Sequence, residues 1–168
     1  SKSLVKTRRQ PGWRFSCNQA FADVIAACAA PRPYADDTWI TAEIQAGYTA
    51  LHKLGWAQSI EVWREDVLVG GLYGVTVGGI FCGESMFSRC RDASKLAFWA
   101  LMSLSRAWQV ELVDCQLEND HLLSLGATIM SRNDYLALLA QQPETPTLPW
   151  SQAHSTLAAN GFAVAEAL

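Results

Sequence analysis

From Ala57 the hydrophobic pattern takes on a period of two and keeps it as far as Phe87. Ser59-Ile60-Glu61-Val62-Trp63 alternates, Glu65-Asp66 breaks the run, and Val67 to Val75 alternates again. Gly78-Gly79 breaks it a second time before Ile80 to Phe87. Side chains on a strand point to opposite faces in turn, and two-residue turns join antiparallel neighbours. The pattern therefore predicts a three-stranded antiparallel meander.

The flanking segments carry helical spacing instead. Trp13 to Cys17 reads as a short strand after Pro11-Gly12, and Asn18 is placed to cap a helix bearing Phe21, Val24, Ile25 and Cys28, ended by Pro31 and Pro33. Thr41 opens a second helix with the stripe Ile44, Tyr48, Leu51 and Leu54, and Gly55 serves as its C-cap. Beyond a loop at Ser88–Asp92 an apolar helix is expected over Ala93–Trp108, then a buried strand over Val110–Gln116. A short helix near Asn119–Leu125, a strand around Ala127–Met130 and a helix over Asn133–Gln141 follow. Pro143, Pro146 and Pro149 mark a linker, and Ser151–Leu168 an alanine-rich tail, so 1–142 is expected to form the domain and 143–168 the linker and tail. Helices, a meander, a helix and a further strand in this order predict an α+β layered domain with a mixed sheet, the order of the GNAT-type (acyl-CoA N-acyltransferase-like) fold.

Bulk properties narrow the chemistry. A net charge of −3 argues against gripping nucleic acid over the whole surface, although Lys2, Lys6, Arg8, Arg9 and Arg14 form a local basic segment. That segment either touches phosphates or is a solvated stretch. Five cysteines without C-x-x-C spacing favour reduced thiols over disulfides or a zinc site. Three dispersed histidines supply no metal-ligand pair, so no metal is expected. No run approaches the ~20 apolar residues of a membrane span. The expectation is a soluble cytoplasmic domain. Seven tryptophans exceed what a core of this size needs, which leaves some for a binding surface.

Asp114 and Gln116 stand two apart in an otherwise apolar strand, so both side chains are expected on one face. A polar pair in such a strand must be hydrogen-bonded or line a cavity; it is either a structural tie or a reactive pair. Glu84, at the end of the strand expected beside it, is either a solvent-facing strand-end residue or a second carboxylate of the same cleft. Ser85, Ser88 and Cys90 lack a G-x-S-x-G setting and a nearby histidine, which disfavours a nucleophile. Cys82 and Cys115 read as core thiols, and His121 as a helix-start residue. The Ser88–Ala93 junction lacks the glycine run of CoA-binding GNAT enzymes, so no CoA cofactor is expected.

Ordered motifs between Thr38 and Tyr135 carry a specific resemblance. They include Thr38-Trp39-Ile40-Thr41, Leu51-His52-Lys53-Leu54-Gly55, Leu68 to Val75, Phe81 to Arg89, Val113-Asp114-Cys115-Gln116 and Asn119-Asp120-His121-Leu122. Together they resemble the leucyl/phenylalanyl-tRNA–protein transferases. The resemblance implies a GNAT-like domain that uses no cofactor and moves Leu, Phe or Met from aminoacyl-tRNA to proteins with N-terminal Arg or Lys, marking them for N-end rule degradation. It implies that Asp114 and Gln116 are the catalytic proton-handling pair and that Glu84 lies in the donor and acceptor cleft. Trp39 and Tyr48 are implied near the terminal adenosine. Leu72, Leu101 and Val113 are implied to line the donor side-chain pocket, with Leu72 and Leu101 standing where relatives carry Met and Phe. Relatives also carry an N-terminal region with a Pro-Trp-Trp-rich motif, so either a longer protein precedes this sequence or it is a shortened relative. The alternatives are transfer from aminoacyl-tRNA to a small amine, a non-catalytic module for basic N-termini, and an ordinary acetyltransferase.

Overall fold

A computed structural model of the chain describes residues 5–7, 10–31 and 38–165, with His121 by its backbone only. Lys2, Arg8 and Arg9 of the basic segment, Pro33, the His121 side chain and the tail's 166–168 lie outside the described residues. The sheet has five strands in the order of the chain: β1 (Trp13–Cys17), β2 (Ala57–Arg64), β3 (Val67–Val77), β4 (Ile80–Ser88) and β5 (Leu112–Asp114). The first four are antiparallel, and β5 pairs parallel to β4. A parallel partner needs a crossover, which α3 supplies (Ala93–Trp108, after α1 at Phe21–Ala29 and α2 at Ala42–Lys53). The helices α4 (Asp120–Ser124), α5 (Arg132–Leu139) and α6 (Ala153–Ala159) complete a mixed α+β architecture of GNAT-like arrangement.

The predicted meander is present, and its turns show why the polar pairs sit where they do. Glu65 and Asp66 both have positive φ, +50° and +66°, the backbone whose twist suits a two-residue hairpin. Two apolar clusters cover the two faces. Phe15, Ile60, Leu72, Phe81, Leu96 and Leu104 pack with α3 and α6; Phe21, Val24, Ile25, Ala57 and Tyr73 pack with α1. With both faces covered, the alternation in β2 does not mark a solvent side. Glu61 is wholly buried, and its carboxylate accepts hydrogen bonds from Ser16 Oγ and Ser59 Oγ, each at 2.5 Å. Trp63 Nε1 donates to Ser16 Oγ at 2.8 Å, which closes the network and offsets part of the cost of burying a carboxylate.

Several expectations are corrected. Asn18 does not cap α1: it lies at φ +61°, its side chain bonds Gln58 and the Ser59 N–H, and the helix begins after Ala20 without a side-chain cap. Thr41 does cap α2, accepting from Ile44 N, and Gly55 follows the helix end at φ +83°. Of the α2 stripe only Ile44 and Tyr48 pack on the core, while Leu54 is 72% exposed. The last expected strand, 127–130, is irregular, and the strand expected over Val110–Gln116 is only three residues long and half-buried.

The stretch expected to be linker and tail carries core side chains. Ala153, Leu157 and Phe162 are buried, and Leu148, Trp150 and Val164 pack against them. Val164 bridges Phe15 in parallel, with Phe15 N–H donating to Ala163 O and Ala165 N–H to Phe15 O, both at 2.8 Å. This packing absorbs tryptophans. Trp150 contacts Phe81 and Trp108, with ring centroids at 5.7 and 5.3 Å, and Trp99 stands edge-on to Phe162 at 5.8 Å. No disulfide joins the cysteines among the described residues, and no helix there is long and apolar enough to cross a membrane.

Candidate active site

β4 and β5 pair only from Ile80 opposite Leu112 to Cys82 opposite Asp114. Beyond that register the strands part, and the polar residues singled out by sequence gather at the opening. Asp114 is the last strand residue. Gln116 is not on the strand at all: its φ is +65°, so strand alternation does not explain its position. The chain turns back instead, and Gln116 N–H donates to Asp114 Oδ1 at 2.7 Å, the self-bonding turn that Asp favours. Gln116 Nε2 then spans the opening, donating to Gly83 O at 3.0 Å and to Glu84 Oε2 at 3.1 Å. Both partners accept only, which fixes which end of the amide faces them.

Glu84 reaches this position through a bulge. Tyr73 pairs with Ser85, but the next residue, Gly74, pairs with Gly83, so Glu84 is the extra residue of β4. Bulges re-aim side chains, and here the carboxylate meets Gln116, with Tyr48 of α2 close enough to feel its charge. Burial, then the charge of Glu84, pushes the Tyr48 phenol up to about 12. The Tyr48 ring stands edge-on to Tyr73 with centroids 5.2 Å apart.

On the other side of the opening stands Tyr135 of α5, which sequence reasoning missed. It shares the cleft wall with Asp114, and burial, followed by the charges of Cys82 and Asp114, raises its phenol to about 12. The Cys82 thiol is pushed up to about 11, by burial first and then by Asp114 and Glu84, and Cys115 is raised for the same leading reason. Thiols held in the protonated form are poor nucleophiles. Ser88 Oγ donates to Cys90 O and accepts from Ser94 N, so it ties the start of α3.

A cleft of about 650 Å³ opens here. Asp114, Gln116 and Tyr135 lie in its wall with Val113, Phe98 and Met102, and Glu118 and Arg132 add charge. Phe98 and Met102 are one helical turn apart on α3, a spacing visible in the sequence but absent from the candidate residues. Asp114, Gln116, Glu84, Tyr48 and Val113 are thus brought together. Leu72 and Leu101 are not: each is 3% exposed in the core beneath, outside the cleft wall. Trp39 stands apart at the start of α2, 54% exposed. Among the described residues no group of His, Cys, Asp and Glu is placed to hold a metal ion.

Residues 1–140 match the family model described as leucyl/phenylalanyl-tRNA protein transferase. A relative of that name from Pseudomonas fluorescens (strain SBW25) is 52% identical over 151 residues, covering 89% of this chain and 67% of the relative. Relatives of the same name from Shewanella frigidimarina (strain NCIMB 400) and Tolumonas auensis are 52% and 51% identical, over 88% and 86% of this chain. The chain spans 63% and 62% of the lengths of those two. A family model matched along most of the sequence, with half the residues identical to such relatives, places the chain in the leucyl/phenylalanyl-tRNA–protein transferase family.

Proposed function

We propose that the chain is the catalytic unit of an aminoacyltransferase that moves Leu, Phe or Met from aminoacyl-tRNA to the N-terminal Arg or Lys of a protein. The observation that carries the proposal is the orientation of Gln116. Its Nε2 is committed to Gly83 O and Glu84 Oε2, which leaves Oε1, at the other end of the amide, for an incoming donor. An amide oxygen held this way accepts a hydrogen from an incoming amine, beside a carboxylate able to take a proton.

The chemistry asks little more. The donor ester is already activated, so the amine attacks its carbonyl carbon directly. The new amide C–N bond forms as the ester C–O bond to the ribose breaks. The amine proton passes by way of Asp114 to the departing ribose oxygen, and nothing is left on the enzyme. No cofactor or metal enters. Carboxylates at Glu84, Asp114 and Glu118 favour a cationic terminus over an acidic one. The apolar wall of Val113, Phe98 and Met102 favours an apolar donor and separates close hydrophobes poorly. Modified proteins would enter N-end rule degradation in the cytoplasm.

The test is transfer of labelled Leu or Phe from charged tRNA to a protein bearing N-terminal Arg. Asp114→Ala and Gln116→Ala should each reduce kcat by about 10²–10⁴. Variants equal to the wild type would remove this pair from the mechanism. No transfer by the wild-type chain, nor by the same chain extended at its N-terminus, would overturn the assignment.

A further inference from the structure

The cleft wall does not end at the reacting residues. Past Gln116 the chain runs out through Leu117, turns at α4 and returns through Ile129 and Met130 to α5, and both arms line the same cleft. Leu117 is 79% exposed, Ile129 75%, Met130 45% and Leu123 40%. Single exposed hydrophobes are ordinary on a protein surface, but four gathered along one cleft mark a surface that meets something. The segment is built rather than loose. Leu122 N–H donates to Asn119 Oδ1 at 2.9 Å, Ala127 N–H donates to Leu122 O at 3.1 Å, and Leu122 itself is buried.

We infer that this apolar rim binds the acceptor polypeptide just beyond its N-terminal residue, taking it in extended form with apolar side chains at its second and third positions. The inference rests on the acceptor amine meeting Gln116, as proposed above.

Charge and place select this occupant. Residues 115–131 contain Glu118 and Asp120 and no lysine or arginine; the first base beyond is Arg132. A tRNA backbone needs cations along its path, so an apolar rim with two carboxylates is a poor seat for the donor. The same two acids disfavour acidic residues in the acceptor. Leu117 follows Gln116 directly, and the Gln116 amide oxygen is the end left for the amine. A polypeptide advances at most ~3.6 Å per residue, so the residues after the acceptor's first meet the neighbours of Gln116 next. Beside the rim, β5 is the last strand of the sheet, and among the described residues no strand pairs with its far side. An open strand edge bordered by apolar side chains suits an extended chain, with main-chain bonds giving affinity and side-chain positions giving choice.

The experiment uses two fluorescein-labelled peptides, Arg-Leu-Leu-Ser-Gly and Arg-Ser-Ser-Ser-Gly. Their binding to the chain is read by anisotropy without donor, and both then serve as acceptors for labelled Phe from charged tRNA. The leucine peptide should bind about tenfold more tightly and show a KM lower by the same factor at equal kcat. The double variant Leu117→Ser, Ile129→Ser changes two exposed side chains, so the fold should persist. It should bring the two peptides to within about twofold of each other and leave KM for charged tRNA unchanged. Equal binding of the two peptides by the wild type, or none of either, overturns the inference, and so does a preference that survives in the double variant. A raised KM for charged tRNA in the variant overturns it in favour of the donor. A wild-type chain that dimerises in sedimentation while the variant stays monomeric overturns it in favour of a second copy. Absence of transfer with the binding preference intact would sink the proposed function and leave the rim as a polypeptide-binding surface.

Discussion

Gly74 is the residue on which the bulge at Glu84 depends, and replacing it with alanine should be severe. A Cβ there would lie 2.2 Å from the Cys82 carbonyl oxygen and 2.6 Å from Phe81 Cζ. Ordinary contact begins near 3.4 Å, so the neighbours would have to withdraw by about 1.2 Å. Neither is free to do so. The oxygen belongs to the backbone of β4 where it pairs with both β3 and β5, and the Phe81 ring is fully buried against Trp150. Spreading strands spaced ~4.8 Å apart by such an amount breaks their hydrogen bonds. Overpacking of this kind costs about 3 kcal/mol. For a domain of this size that lowers Tm by roughly 6–12 °C. Gly47 is the control. It lies within α2 with nothing near its absent Cβ, so Gly47→Ala should raise stability by about 0.5–1 kcal/mol. Thermal unfolding followed by circular dichroism reads both variants. A Gly74→Ala protein melting within 2 °C of wild type (on the order of 1 kcal/mol or less) with intact transfer would show that β4 accommodates the methyl group and that Glu84 does not rely on this contact.

Four more expectations follow from packing and burial. Tyr73 is buried with no hydrogen-bond partner for its hydroxyl among the described residues, so Tyr73→Phe should be neutral or stabilising by up to about 1–3 kcal/mol; a lower Tm would reveal a partner for that hydroxyl. Tyr48, Tyr135 and Cys82 are raised to about 12, 12 and 11, so their folded-state values exceed the unfolded ones. Stability should therefore hold below the unfolded values and be lost as pH rises through the folded ones, between about pH 9 and 12; absorbance at 295 nm should show Tyr48 and Tyr135 ionising late, and titration of both at the ordinary tyrosine pH would contradict this. At pH 8, Cys82 should react with iodoacetamide about 100-fold more slowly than an ordinary thiol, from its smaller thiolate fraction; mass spectrometry of the alkylated peptides measures the ratio. Leu157→Ala should cost about 2–5 kcal/mol, because Leu157 is fully buried in the main core, and a near-neutral result in urea unfolding would show the C-terminal helix to be dispensable.

The parts of the fold that were legible are those set by local periodicity. The meander from Ala57 to Phe87 and the helix α3 appear where the sequence places them, because alternation and a long apolar stripe need no distant information. Asp114, Gln116 and Glu84 were also found, since polar residues in apolar segments must have partners. The reason they meet was not legible. Gln116 reaches Glu84 by leaving the strand in a left-handed conformation, and Glu84 reaches Gln116 through a slip in register between two strands. A single strand's sequence carries no record of its partner's register. Tyr135 was missed because the spacing of Tyr135, Leu138 and Leu139 marks the partly buried side of α5 without recording which strand end that side meets. The segment after Pro143 was read from its composition, yet what places it is shape: Leu157, Phe162 and Trp150 fill space that β1 and α3 leave open.

The strand formed by Phe15 and its neighbours has a consequence for how the chain folds. Its outer side is satisfied by residues 163–165, which lie almost the full described length of the chain away. Local elements such as the meander can pair early, whereas closing so long a loop is entropically slow. Until it closes, Phe15 and the sheet edge beside it remain exposed, and an open edge recruits other chains. Crowded refolding should therefore lose material to aggregation at this step, and dilution or a chaperone that shields unpaired edges should recover it.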